Sequence, residues 1–363
     1  MPFRLPNGQA ILLTRYSVSV YNQNMEKKAE KIHPDEWLRD LPIQAENPAF
    51  KPEQMILCRK CERINPPTRL DCFYCGAELE ISEAQSEFLK LNLRKLENWE
   101  KGFNLIYSPE SQNFDDAKLS EIAKMLKCEK EFLQKLIDAE KTLPLVRAES
   151  EKEAEIVQSR LRGLGVETLI IGDECLEIEK SAQRLRGIEF FDDKIILILF
   201  NQDEIVEIQL DDLVLIVSGA IFERKVEATR KRAKKGKNEI LQTSETASDE
   251  FLIDIYSREN RIGYRIFAKG FDFSCLEAEK GFLAAENLKK LTRKLREAAP
   301  DAKFVDDYLQ VRENLGNVWQ VEEKIDSQGL KREGFGKFNQ ENITTINNQS
   351  QFTKYSRLQR HLL

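Results

Sequence analysis

Histidine is nearly absent: the chain has two in 363 residues, His33 and His361. Both lie in polar stretches near the termini, where a preorganised general base is not expected. Glycine-rich phosphate loops are missing as well, and Gly334-Phe335-Gly336 is a lone GxG inside a polar segment. No GxSxG elbow, HExxH pair or kinase motif set occurs. The 62 Asp and Glu make carboxylate pairs inevitable and so single out no acid–base couple. The expectation is a protein without catalytic machinery.

Long apolar runs are lacking too. The two longest, at 194–200 and 213–222, fall far short of the roughly 18–20 residues a membrane span needs. Thr14-Arg15 interrupts Ile11-Leu12-Leu13 before a secretory apolar region can form. A cytoplasmic protein is expected, with Met25 as an alternative start. There is no basic excess: net charge is −6 and the pI about 5.5, so any nucleic-acid contact has to be local. No repeat of solenoid length is visible. A disulfide framework is also disfavoured, because the seven cysteines are odd in number and four of them fall between positions 58 and 75. That distribution suits metal binding in a reducing compartment. Cys128, Cys175 and Cys275, isolated in apolar-patterned segments, are expected as small buried hydrophobes.

Periodicity divides what is there. Residues 1–54 read as a mostly flexible arm with Trp37 as an anchor, and 55–80 hold the cysteine cluster. A linker helix is expected over 81–100, opened by the capping box Ser82-x-x-Gln85 and carrying Leu89, Leu93, Leu96 and Trp99 on one face. Residues 101–180 follow the order β-α-α-β-α-β, with a second capping box at Ser150-x-x-Glu153 and Gly163 and Gly165 as stop signals. From 186 the period changes to two, as in Val206, Ile208 and Leu210 alternating with Glu207 and Gln209. An antiparallel β barrel or sheet over 185–310 is expected, closed by one helix with Phe282, Ala285, Leu288, Thr292 and Leu295 on its apolar face. A polar insertion interrupts it at 229–248. The Gln/Asn-rich stretch 320–363 shows no periodicity and is expected to be disordered. Tyr355-Ser356-Arg357-Leu358 within it is a candidate linear motif, with an inert tail as the simpler reading. The fold class expected is multidomain α+β with disordered ends.

One constellation carries specific chemistry. Cys58-x2-Cys61 and Cys72-x2-Cys75 each form a turn able to aim two sulfurs at one point, and two such turns make the tetrahedral S4 shell that zinc prefers. Four thiolates leave no open position, so one structural Zn2+ is expected rather than a catalytic one. Metal binding would supply most of the folding free energy of so small a segment, on the order of 10 kcal/mol or more.

The pattern Cys58-x2-Cys61-x3-Asn65-x6-Cys72-x2-Cys75 resembles the Ran-binding-protein-2-type zinc finger over residues 56–79. Ile56 replaces the tryptophan usual two positions before the first cysteine. Glu62-Arg63 replaces the Thr-Phe pair of ubiquitin-binding members, which argues against ubiquitin recognition. Some members of that family bind single-stranded RNA by stacking and arginine contacts. Arg59, Lys60, Arg63, Arg69, Phe73 and Tyr74 supply the residue types. Cys75-Gly76-Ala77-Glu78-Leu79 is equally similar to the second knuckle of a generic zinc ribbon. The 101–180 layout resembles the C-terminal domain of the ribosomal stalk protein, and 185–310 resembles a pleckstrin-homology-like barrel. Both resemblances rest on element pattern and imply fold alone.

Two further segments carry patterned charge or helical spacing. Arg224-Lys225, Arg230, Lys231, Arg232, Lys234, Lys235 and Lys237 form a basic run in an acidic chain, a candidate anionic contact whose simpler reading is a solvated loop. The two helices from 119 to 137 superficially resemble a helix-turn-helix. Glu129, Glu131 and Asp138 on the second would repel phosphate, so core packing explains them better. The function expected is a non-catalytic zinc-binding adaptor or scaffold that mediates protein interactions. The alternative is a nucleic-acid-associated regulator using the ribbon and the basic segment.

Overall fold

The computed structural model describes residues 50–81, 93–109, 114–200, 204–231, 239–334 and 337–363. The flexible-arm expectation for 1–49, the helix start at Ser82-x-x-Gln85 with Leu89, and Arg232, Lys234, Lys235 and Lys237 all lie outside those residues. The described part of the 81–100 segment is irregular, not helical. Leu93 and Leu96 are buried there, while Trp99 is exposed.

The chain opens with a small antiparallel hairpin, β1 (Ile56–Leu57) and β2 (Ile64–Asn65). The next unit follows the expected order: β3 (Phe103–Tyr107), α1 (Asp116–Leu126), α2 (Lys130–Asp138), β4 (Leu143–Ala148), α3 (Glu151–Gly163) and β5 (Thr168–Gly172). β3 lies between β4 and β5 and is antiparallel to both. Local chemistry sets these boundaries. Asp115 accepts the Lys118 N–H to start α1, and Lys127 in the left-handed region ends it. Ser150 accepts the Glu153 N–H to start α3, and the Glu153 carboxylate accepts from the N–H of Glu149 at 3.0 Å. Leu119, Ile122, Leu126, Phe132, Leu133 and Leu136 all enter the core, so α1 and α2 pack as core helices.

Beyond it lies one mixed sheet of nine strands: β6 (Gln183–Phe190), β7 (Lys194–Leu199), β8 (Ile205–Gln209), β9 (Leu213–Lys231), β10 (Glu239–Ser257), β11 (Tyr264–Phe267), β12 (Lys303–Val305), β13 (Glu322–Gly334) and β14 (Lys337–Asn347). Their order is β13-β14-β9-β10-β11-β6-β7-β8, with β12 beside β9. The path has two ends, so among the described residues the sheet does not close into a barrel. Nor is it wholly antiparallel, since β11 runs parallel to β6 and β12 parallel to β9. Three helices complete the chain: α4 (Ala284–Ala298), α5 (Tyr308–Leu315) and α6 (Gln349–His361). Phe282 precedes α4 and is fully exposed, so it is not part of that helix's apolar face; Leu288, Leu291 and Leu295 are.

Two expectations are corrected here. The polar insertion at 229–248 is not a loop, because β9 and β10 continue through most of it as a paired hairpin from Ser257↔Leu213 to Glu239↔Lys231. The segment 320–363 is not a disordered tail. β14 pairs with β9 from Asn347↔Glu223 to Asn339↔Lys231, and β13 pairs with β14. Both errors have one cause: a ladder satisfies its backbone groups whatever the side chains are, and strands that are polar on both faces show no hydrophobic period.

The central strands bury both faces. Leu215, Val217, Leu252 and Tyr256 join the core of the β-α-α-β-α-β unit, while Ile216, Ile253 and Ile255 face the core under α4. α6 sits on the first of these faces, between the sheet and the α+β unit, and residues 351–359 of it are all buried. Phe352, Tyr355 and Leu358 supply its apolar contacts. Its polar groups find partners on both sides. Arg357 donates to the carbonyls of Leu176 (3.2 Å), Glu177 (3.1 Å) and Lys180 (2.8 Å). Ser356 meets the Tyr256 hydroxyl at 2.7 Å. Gln351 accepts from Tyr308 (2.9 Å) and donates to the Trp319 carbonyl (3.0 Å). Gly219 permits the close approach, because a Cβ there would lie 2.4 Å from the Phe352 ring. Cys175, expected to be buried, is exposed on the 3-10 turn Asp173–Leu176, which turns Asp173 and Leu176 inward instead. No helix among the described residues is long and apolar enough to cross a membrane.

Lys354 is the exception on α6. It is a buried amine that feels Arg147 on one hand and Asp173 and Glu322 on the other. Burial, with Arg147 nearby, pulls it down to about 8, against the opposing pull of Asp173 and Glu322. Since the folded value lies below the ordinary value of 10.5, the charged amine costs stability below pH 8. That cost fades as pH rises from about 8 towards 10.5. Lys354→Met is therefore expected to raise stability at pH 7 by about 2–3 kcal/mol and to flatten the rise across that window, as read by urea unfolding at several pH values.

Candidate metal centre

The four cysteines converge. Cys58 Sγ lies 3.6 Å from Cys75 Sγ, and Cys61 Sγ lies 3.5 Å from Cys72 Sγ. All four sulfurs are within 4.8 Å of one another. A tetrahedron with metal–sulfur bonds of about 2.3 Å requires edges of about 3.8 Å, so the group fits a single ion.

The local backbone explains the convergence through two matching knuckles. In the first, the Glu62 N–H donates to the Cys58 carbonyl (2.8 Å) and the Cys58 N–H to the Arg63 carbonyl (3.0 Å). In the second, the Gly76 N–H donates to the Cys72 carbonyl (2.9 Å) and the Cys72 N–H to the Ala77 carbonyl (2.7 Å). Each knuckle closes on a left-handed residue, Glu62 at φ 57° and Gly76 at φ 65°. The glycine suits that conformation; the glutamate adopts it at some cost.

Asn65 ties the knuckles together from a fully buried position. Its amide donates to the Arg63 carbonyl (2.9 Å) and to Cys72 Sγ (3.5 Å), and its oxygen accepts the Phe73 N–H (2.9 Å). The Tyr74 N–H also points at Cys72 Sγ, at 3.4 Å. Burial opposes ionisation of Cys72, but the N–H groups of Cys75 and Tyr74, with Cys61 and Asn65, outweigh it and bring the thiol down to about 6. Cys58 is lowered mainly by the Cys61 N–H. For Cys61 the Arg63 N–H favours the thiolate, but burial and the three neighbouring sulfurs prevail and push it up to about 12. Without a cation four thiolates cannot share this space; a divalent ion is what the donor set calls for. Four sulfurs fill a tetrahedral shell and leave no position for water or substrate.

The remaining candidates separate into two groups. Phe73 and Tyr74 are exposed and meet edge to face at 5.5 Å. Arg63 lies over Tyr74 at 4.7 Å, and Arg69 over Phe73 at 5.2 Å. Leu57 and Ile64, each 58% exposed, occupy the outer positions of the same hairpin. Neither drew notice in the sequence, although their alternation with buried Ile56 and Asn65 is the signal that marks them. Arg59 points away to pair with Glu80. The ribbon is fixed to the rest of the molecule by Lys152 on α3, which bonds the Leu79 carbonyl and pairs with Glu78 at 3.3 Å. Arg230 and Lys231 lie on β9, opposite Gln340 and Asn339 of β14. His361 is exposed in the last turn of α6.

No protein-family profile matches this chain, and no curated protein and no solved structure matches it at a significant level. The site therefore stands on its own geometry. Asn65→Ala, which removes the bonds that orient Cys72 and Phe73, is expected to weaken metal affinity about 10–100-fold. Competition against a chromogenic chelator under reductant measures it.

Proposed function

We propose that the chain is a zinc-binding adaptor without catalytic activity, built from a zinc ribbon carried on a larger α+β body and acting in the reducing cytoplasm. The observation that carries the reading is the ribbon's outer surface: two exposed aromatics, two arginines stacked over them and two exposed aliphatics, all held by a four-sulfur centre. Aromatic residues and arginine are the types enriched at the energetic centres of protein interfaces. Zinc is the favoured ion because four thiolates at these separations match its tetrahedral preference and its affinity for sulfur. The seven unpaired cysteines agree with a reducing compartment. The Ran-binding-protein-2-type resemblance agrees in cysteine spacing and in the presence of Asn65.

The same stacked arginine–aromatic pairs favour a second reading, in which the ribbon contacts single-stranded RNA. Salt dependence separates the two, because phosphate-driven binding is strongest at low ionic strength. The adaptor reading expects one zinc per chain by elemental analysis under reductant. It also expects no gel shift with single-stranded RNA at about 50 mM salt. Protein captured from the native host by the wild-type chain should be lost with the double variant Phe73→Ser, Tyr74→Ser. Absence of stoichiometric metal contradicts the ribbon. A shift at low salt that the double variant abolishes replaces the adaptor with the RNA reading.

A further inference from the structure

Two features beside α4 are unused by the adaptor reading. The first is a peg. Phe282 and Leu283 are 107% and 61% exposed in the turn that leads into the helix. The turn is held from within. Asn287, itself buried, accepts the Gly281 N–H at 2.7 Å and donates to the Gly281 carbonyl at 2.9 Å. An aromatic and a leucine held out into water on a braced turn are an unmet apolar contact.

The second is a socket of about 600 Å³ along the same helix. It exists because the sheet has a gap. β12 pairs with β9 only as far as Val305↔Val217, and β14 begins only at Asn347↔Glu223, which leaves 218–222 with β10 as the sole strand partner among the described residues. Phe251, Leu252, Leu288, Phe304 and Leu309 give the socket its apolar surface. Lys289, Arg293 and Arg296 of α4 form its lip, on one helical face. The volume lies in the range of pockets that enclose a drug-sized body, ample for two side chains.

The geometry points to a second copy of this chain as the occupant, with Phe282 and Leu283 of each protomer seated in the socket of the other. The socket is centred near Thr292, about ten residues or roughly 15 Å along the helix from the peg. A two-fold axis crossing α4 near position 287 then sets each peg opposite the partner socket, with the helices antiparallel. This is an isologous contact, in which one patch is complementary to itself.

Charge supports the pairing. Among the charged groups lining the socket, Glu297 and Asp306 are outnumbered by the basic lip. Glu277 and Glu286 flank the peg, while Lys289 and Arg296 flank the socket. Among the described residues none of the four has an ion-pair partner; Arg296 stacks on Phe304 at 4.4 Å, and Arg293 is already paired with Glu279 and Glu297. Antiparallel helices bring the acidic end of one against the basic lip of the other.

Sedimentation velocity on the full chain, from low micromolar to about 100 µM, tests the proposal. The expected result is a reversible monomer–dimer equilibrium. Phe282→Ser and, separately, Leu309→Arg are each expected to weaken it at least about tenfold with unchanged circular dichroism, since both side chains lie at the surface. An equimolar mixture of the two variants keeps one intact peg for one intact socket, and is expected to associate more tightly than either variant alone. A wild-type chain that stays monomeric throughout, a dimer indifferent to Phe282→Ser, or a mixture without recovery overturns the proposal.

Discussion

The burial of α6 between the sheet and the α+β unit is the constraint on which the body of this molecule rests. The helix is polar in composition and yet enclosed on every side, which is tolerable only where hydrogen bonds replace the water its side chains give up. They do so in both directions. Arg357 reaches three carbonyls of the turn that follows β5, Ser356 reaches Tyr256 of β10, and Thr353 receives Arg265, itself held by Asp254 in a two-point ion pair. Through Gln351, Trp319 and Asn104 the network continues to Asp173 and its buried partner Arg147. Units that look separable in the order of elements are joined by one apolar core and one polar network. Removing a single member strands the others without solvent, so the coupling is stiff.

The ribbon follows a different logic. Its own apolar cluster is little more than Ile56, Cys58, Cys72 and Leu79, too small to hold a fold without a metal or another staple. What the four-cysteine site achieves is presentation: two knuckles and one buried asparagine consume the inward-facing groups, leaving Phe73, Tyr74, Leu57 and Ile64 for the outside. Lys152 fixes this small module to the larger body, and the body sets where the exposed aromatics point.

Legibility in the sequence tracked the hydrophobic signal. The cysteine spacing, the capping residue Ser150 and the apolar faces of α1 to α3 all have local causes, and the structure places them as the sequence suggests. Asn65 was noticed only through a family resemblance, yet its three hydrogen bonds give it a reason of its own. What escaped were elements whose stability is not local. β13, β14 and the distal halves of β9 and β10 are polar in sequence and are strands because each edge finds a partner, for β14 on β9 more than a hundred residues away. α6 is invisible to periodicity because its polar residues are buried, and only a satisfied network distinguishes it from a solvated tail. The peg at Phe282 matches the apolar spacing of the helix that follows, and nothing in the local pattern says that the helix begins two residues later.

Native-state hydrogen exchange, resolved to the segment 349–361, tests the account most directly. A helix enclosed by two layers and tied to both exchanges only when the whole body opens, so its amides should fall in the slowest class, together with those of β9 and β10. Exchange of that segment at the rate of an unstructured chain, with the sheet still protected, would contradict the account and return the C-terminus to the status of a tail.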